Sequence, residues 1–102
     1  MTSKHEIRLP FDDPRFIKLC KELDIAYLGL FGSASRGEQK EDSDVDLLVK
    51  FSKPKSLLYV IAAEHRLEDF LGKEIDLVPE GGLKPRVRER VMQDLRDVYG
   101  AR

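Results

Sequence analysis

The side chains with the most chemistry to offer are three carboxylates, Asp44, Asp46 and Asp76. Around the first two, Val45, Leu47, Val49 and Phe51 occupy every second position. In a strand such residues share one face, which leaves Asp44, Asp46, Leu48 and Lys50 on the other and points both carboxylates the same way. Asp76 sits among Ile75, Leu77 and Val78 in a third short apolar run. If these strands pair, three carboxylates meet on one sheet face, where they repel each other and lose hydration unless a divalent cation sits between them. Without Cys or His in the cluster, the all-oxygen set suits Mg²⁺ or Mn²⁺ better than zinc. The bland alternative makes Asp44 and Asp46 polar residues on the wet face of an edge strand. A calcium loop over Asp42, Asp44 and Asp46 fails, because Leu47 stands where a Gly is required and Lys53 where a bidentate Glu belongs.

Upstream lies Gly32-Ser33, directly after the apolar run Tyr27, Leu28, Leu30, Phe31. A Gly at the end of a buried strand lets a phosphate approach the backbone, and a Ser hydroxyl with neighbouring N–H groups can hold nucleotide phosphates. Gly-Ser also marks many ordinary turns. Arg36 could reach the same anion, and reads equally well as a solvated loop residue.

The elements that must carry these groups follow from periodicity. Asp13-Pro14 starts a first helix, with an acid at the N-cap and Pro at the first helical position, and Phe16, Ile17, Cys20 and Leu23 recur behind it. The spacing predicts a strand from Ala26 to Phe31, a polar loop from Arg36 to Ser43, and a strand over Val45–Phe51. A long amphipathic helix is expected over Ser56–Leu71, with Leu57, Leu58, Ile61, Leu67, Phe70 and Leu71 as its apolar residues and Gly72 capping its end. Glu74 to Val78 reads as the third strand. A last helix is expected from Pro85 to about Tyr99, burying Val87, Val91, Leu95 and Val98. The fold class is α/β, or α+β in some schemes: a small mixed sheet of three to four strands with helices packed on one face.

The chain has 102 residues, 36% of them charged and 41% hydrophobic, room for one domain spanning 1–102, with residues 1–10 as a flexible arm. Lys and Arg number 18 against 19 Asp and Glu, a net charge of −1, which argues against direct nucleic-acid binding. The single Cys20 cannot form an internal disulfide, and with only His5 and His65 beside it no zinc spacing exists. Cys20 fits the apolar stripe of the first helix as packing. The apolar run Leu57 to Ala63 is too short for a bilayer, and no signal peptide is visible, so the expected location is cytoplasmic. In the run Lys84, Arg86, Arg88, Arg90, Arg88 and Glu89 alternate in sign and the helix also carries Asp94 and Asp97, as on a solvated face, with an acidic partner or nucleotide phosphates as the alternative.

The combination of Gly32-Ser33, a ten-residue gap and Asp44-Val45-Asp46, in LFGSASRGEQKEDSDVDLLV, resembles the signature of the polymerase-β-type nucleotidyltransferase superfamily. Arg36-Gly37, Ser43 and Leu71-Gly72-Lys73-Glu74-Ile75-Asp76-Leu77-Val78 extend the likeness, which runs from about Tyr27 to Leu95. Leu83-Lys84-Pro85 is similar to the small stand-alone branch, the minimal nucleotidyltransferases. Ala34-Ser35 departs from the aromatic-Ala pair of many relatives, without removing a ligand.

The resemblance implies an enzyme that transfers a nucleoside monophosphate, from ATP, to a hydroxyl with release of pyrophosphate. It implies that Asp44 and Asp46 bind two Mg²⁺ ions and that Asp76 completes the second site and accepts the proton. It assigns the nucleotide phosphates to Gly32, Ser33 and Arg36. Stand-alone members resemble the antitoxin half of a toxin-antitoxin pair whose other half is a HEPN ribonuclease, and the implied acceptor is a tyrosine of that toxin. The closing helical domain of larger relatives does not fit in 102 residues, so a partner is expected to supply the acceptor site. Two other readings stand beside this one: an antitoxin that blocks the toxin by binding alone, and a nucleotidyltransferase acting on a small antibiotic.

Overall fold

A computed structural model describes residues 9–32 and 44–101. Helix α1 (Pro14–Glu22) opens as its sequence dictates: the Asp13 carboxylate accepts from the Arg15 N–H at 2.8 Å, and Pro14 occupies the first turn. Strand β1 (Ile25–Phe31) follows, then β2 (Val45–Phe51) antiparallel to it. Helix α2 (Leu57–Leu71) is the crossover that returns β3 (Ile75–Pro79) parallel to β2. Its N-terminus is capped by Ser56, whose hydroxyl accepts from the Tyr59 N–H at 3.2 Å, and it ends where Gly72 turns left-handed at φ 70°. After a short 3-10 turn at Glu80–Gly82 come α3 (Pro85–Asp94) and β4 (Arg96–Gly100). The sheet is mixed, in the order β3-β2-β1-β4.

Strand alternation divides the core. Leu28, Val45, Leu47 and Val49 face α1 and α2, packing with Phe16, Leu19, Cys20, Val60, Ala63 and Leu67. Tyr27 and Leu48 point the other way, beneath Val91 of α3, with Phe31, Leu83, Met92 and Leu95 around them. Ile25 and Tyr27 lie on opposite faces despite being two apart, because the β1–β2 register shifts between them. Helices on one face therefore describes α1 and α2, while α3 contributes its single buried residue to the other side. Burial pushes the Cys20 thiol up to about 12, consistent with packing rather than chemistry.

Two sequence expectations are corrected. The last helix stops at Asp94, and Arg96–Gly100 forms β4, antiparallel to β1. Val87, Val91, Leu95 and Val98 are spaced as a helical stripe, yet Val87 is exposed and Val98 packs on the α1/α2 side of the sheet. The open edge of β1 offers unpaired backbone groups, and pairing with them outweighs local helical periodicity. The Tyr27 hydroxyl locks the arrangement by donating to Asp97 Oδ1 at 2.7 Å. Gly100, at φ 70°, sits so close to the Ala26 carbonyl that no side chain fits. In α2 the buried residues are Val60, Ala63, Leu67 and Leu71; Leu57, Leu58 and Ile61 are exposed. Among the described residues no helix is long and apolar enough to cross a membrane.

Candidate active site

The acidic site is built by strand register. Because β1 and β2 are antiparallel and β2 and β3 parallel, one row across the sheet reads Phe31, Asp46, Asp76. Residues aligned on neighbouring strands project from the same face, so the Asp46 and Asp76 carboxylates stand side by side, on the face that also carries Leu48. Past the intervening Val45–Ile75 row, immediately before β2 and β3 begin, come Asp44 and Glu74, fastened by a 3.0 Å hydrogen bond from the Val45 N–H to the Glu74 carbonyl. Four carboxyl groups thus form a two-by-two grid. Asp46 is its half-buried inner corner, while Asp44, Glu74 and Asp76 are exposed.

Protonation follows this placement. Burial, then the negative charges of Asp76 and Asp44, raises the Asp46 carboxyl above its usual range. Glu74 is also raised, by a hydrogen bond shared with the Asp44 carboxyl and by that group's charge. Glu74 is the site residue that the reading of the sequence passed over. The signal was there: Glu74-Ile75-Asp76 repeats the acid-x-acid alternation of Asp44-Val45-Asp46.

Gly32 closes the site from β1. It follows Phe31, which is paired with Asp46, and its φ is +74°. A Cβ there would lie 2.5 Å from Asp46 Oδ2, so glycine is needed both for the backbone turn and for the close approach of the carboxylate. Ser33 and Arg36, expected at the phosphates, lie outside the described residues, as do His5, Asp42 and the expected 36–43 loop. Lys84, Arg86, Arg88 and Arg90 are all exposed, and Arg88 pairs with Glu80 at 3.4 Å, as the solvated-face reading expects.

The donors suit a hard divalent cation bound jointly with a substrate. Among the described residues no group of three or more acidic, His or Cys side chains is arranged so that it could hold a metal ion by itself. Mg²⁺ does not require one, since it is commonly held by one or two carboxylates, with phosphate oxygens and water completing the octahedron. The aligned Asp46 and Asp76 offer two such carboxylates.

Residues 14–98 match the nucleotidyltransferase domain family, and the chain belongs to it. It is accordingly an enzyme of the nucleotidyltransferase class. Protein adenylyltransferase MntA of Thermococcus cleftensis is 42% identical over 78 residues, which span 76% of this chain and 79% of that protein. A toxin-antitoxin crystal structure with AMP-PNP contains a chain that superposes with a TM-score of 0.77 at 23% identity, covering 91% of this chain and 75% of that one. A structure of tri-AMPylated Shewanella oneidensis HEPN toxin in complex with MNT antitoxin matches with a TM-score of 0.65 at 20% identity, over 85% of this chain and 68% of that one. At these identities the two structures bear on the fold, which they share with this chain.

Proposed function

We propose that this protein transfers AMP from ATP to a tyrosine hydroxyl of a partner HEPN toxin and acts as its antitoxin in the cytoplasm. The observation that carries the reading is the register of Asp46 with Asp76 on adjacent parallel strands, beside a glycine that leaves room for nothing larger. The 42% identity to a protein adenylyltransferase supports the choice of donor and of a protein acceptor. Solved relatives in complex with a HEPN toxin support the partner.

In this reading the acceptor oxygen bonds to the α-phosphorus of ATP as the α–β bridging bond breaks, and pyrophosphate leaves. Asp44, Asp46 and Asp76 would hold two Mg²⁺ ions, which when bound supply charge neutralisation at the phosphates and acidify the acceptor hydroxyl. Asp76, at the exposed end of the row, is placed to take the proton from that hydroxyl. Gly32, with Ser33 and Arg36 next in the chain, holds the β- and γ-phosphates. What the protein contributes is alignment and electrostatics, the main requirements of phosphoryl-group transfer.

The test is labelling of the co-expressed toxin by radioactive ATP. The Asp44→Asn/Asp46→Asn variant is expected to abolish it; retained labelling refutes the proposal. Neutralisation of the toxin by the unlabelling variant would instead establish an antitoxin that works by binding alone. Intact mass of the toxin then counts the AMP groups added.

A further inference from the structure

We propose that Glu64 and Glu68 are positioning residues for Asp76, an inference that rests on the catalytic reading of Asp76 given above. Among the described residues β3 is an outermost strand of the sheet, so alternate N–H groups point away from β2 with no neighbouring strand there to receive them. Two of these are taken by side chains of α2: Glu64 Oε2 accepts from the Leu77 N–H at 2.8 Å, and Glu68 Oε2 from the Ile75 N–H at 3.0 Å. The spacings explain why the two fit together. Four residues of helix advance about 6 Å and two residues of strand about 6.6 Å, so with the helix running opposite to the strand, carboxylates at i and i+4 match N–H groups at j+2 and j.

Asp76 is the residue between those two N–H groups. Its own side chain is exposed, so its location is inherited from the backbone on either side of it. Ile75 and Leu77 are nearly buried, which anchors that backbone toward the core. The parallel pairing with β2 holds it from one edge, and the two glutamates hold it from the other. On this view α2 is both the crossover and a substitute for the missing fifth strand, setting how far Asp76 stands from Asp46.

The experiment uses the full chain with its co-expressed acceptor and compares Glu64→Ala/Glu68→Ala with Glu64→Gln/Glu68→Gln, since glutamine keeps an acceptor oxygen. Amide hydrogen exchange at Ile75 and Leu77 reports the contact; kcat and KM for AMP transfer report its consequence. The alanine pair is expected to lose protection at both amides and about tenfold to a hundredfold in kcat, with KM for ATP within about twofold. The glutamine pair is expected to keep both protection and kcat within about twofold. Val60→Ala, a core truncation away from β3's outer edge, controls for general destabilisation and is expected to lower Tm while leaving kcat unchanged below the transition. If the alanine pair does not fold, the two single alanine variants carry the comparison. Loss of protection without loss of kcat overturns the proposal, as does equal impairment of the alanine and glutamine pairs. Full activity of Asp76→Asn overturns the underlying reading, and is distinguished because the exchange result is independent of catalysis.

Discussion

Replacing Asp46 by Asn should stabilise the protein at neutral pH while abolishing its activity. Asp46 is ionised against a gradient of burial and of the Asp76 and Asp44 charges, so its folded pKa lies above the ordinary value of 3.8. Between those two values the native state binds the proton that the unfolded state has released. Stability therefore falls as pH rises through that window, and the full penalty persists above it. Neighbouring strands lie about 5 Å apart. At that separation two unit charges repel by about 0.8 kcal/mol in water and about 3 kcal/mol at an effective dielectric of 20. Asp46 is only half-buried and Asp76 is exposed, so solvent screening puts the gain near the lower figure, about 1 kcal/mol. For a domain of this size that corresponds to a rise in Tm of about 4–8 °C. Thermal and urea unfolding at about pH 7, without divalent cation, measure it, and the gain should vanish at about pH 3. A less stable variant at neutral pH, or a gain that survives undiminished in acid, would refute the electrostatic account of the grid.

Gly32→Ala should cost about 1–2 kcal/mol from its left-handed backbone alone. Its Cβ would also press on Asp46 Oδ2, so AMP transfer should fall by about tenfold or more, measured as kcat on protein shown to be folded. Tyr27→Phe removes the 2.7 Å hydrogen bond to Asp97 and should destabilise by about 1–3 kcal/mol in urea unfolding, with amide exchange accelerating in Arg96–Gly100 before it does in β2 or β3. Chelation of divalent cations should weaken ATP binding more than about tenfold by calorimetry, and the Asp46→Asn variant should show a smaller dependence on the cation.

The parts of this molecule that were legible in the sequence are those set by near neighbours. Asp13-Pro14 specifies a helix start through a side chain two residues from the N–H it caps, and Gly72 specifies a helix end through its own backbone freedom. The alternation of Val45, Leu47 and Val49 placed Asp44 and Asp46 together without reference to any other strand. What was not legible depends on distant pairing. β4 exists because β1 has an edge to fill, and the helical spacing of Val91, Leu95 and Val98 runs on into Arg96–Gly100 and masks its strand-favouring Val98-Tyr99 pair. In α2, the stripe Val60, Ala63, Leu67, Leu71 and the residues Leu57, Leu58, Ile61 are both apolar at helical spacing, and only the position of the sheet decides which is buried. The Asp46–Asp76 row was expected from pairing; Glu74 entered the site only once the register was known.

The acidic grid also bears on what the site is for. Folding needs the α1/α2 face of β2, where Val45, Leu47 and Val49 complete the larger core. It places no such demand on positions 44, 46, 74 and 76, where neutral polar residues would avoid the burial and like-charge repulsion that raise Asp46, and the hydrogen bond and charge of Asp44 that raise Glu74. Local consistency is thus violated at one spot, and the violation is concentrated, since all four groups lie at the neighbouring N-terminal ends of β2 and β3. Concentrated negative charge repels a bare nucleotide triphosphate as strongly as it repels itself. On the proposed function the arrangement would become favourable when cations arrive with the nucleotide, so that affinity for the substrate and affinity for the cation would be coupled. Such coupling would separate a catalytic carboxylate grid from a merely polar strand face: on a polar face, neutralising Asp46 would leave cation and nucleotide binding independent of each other.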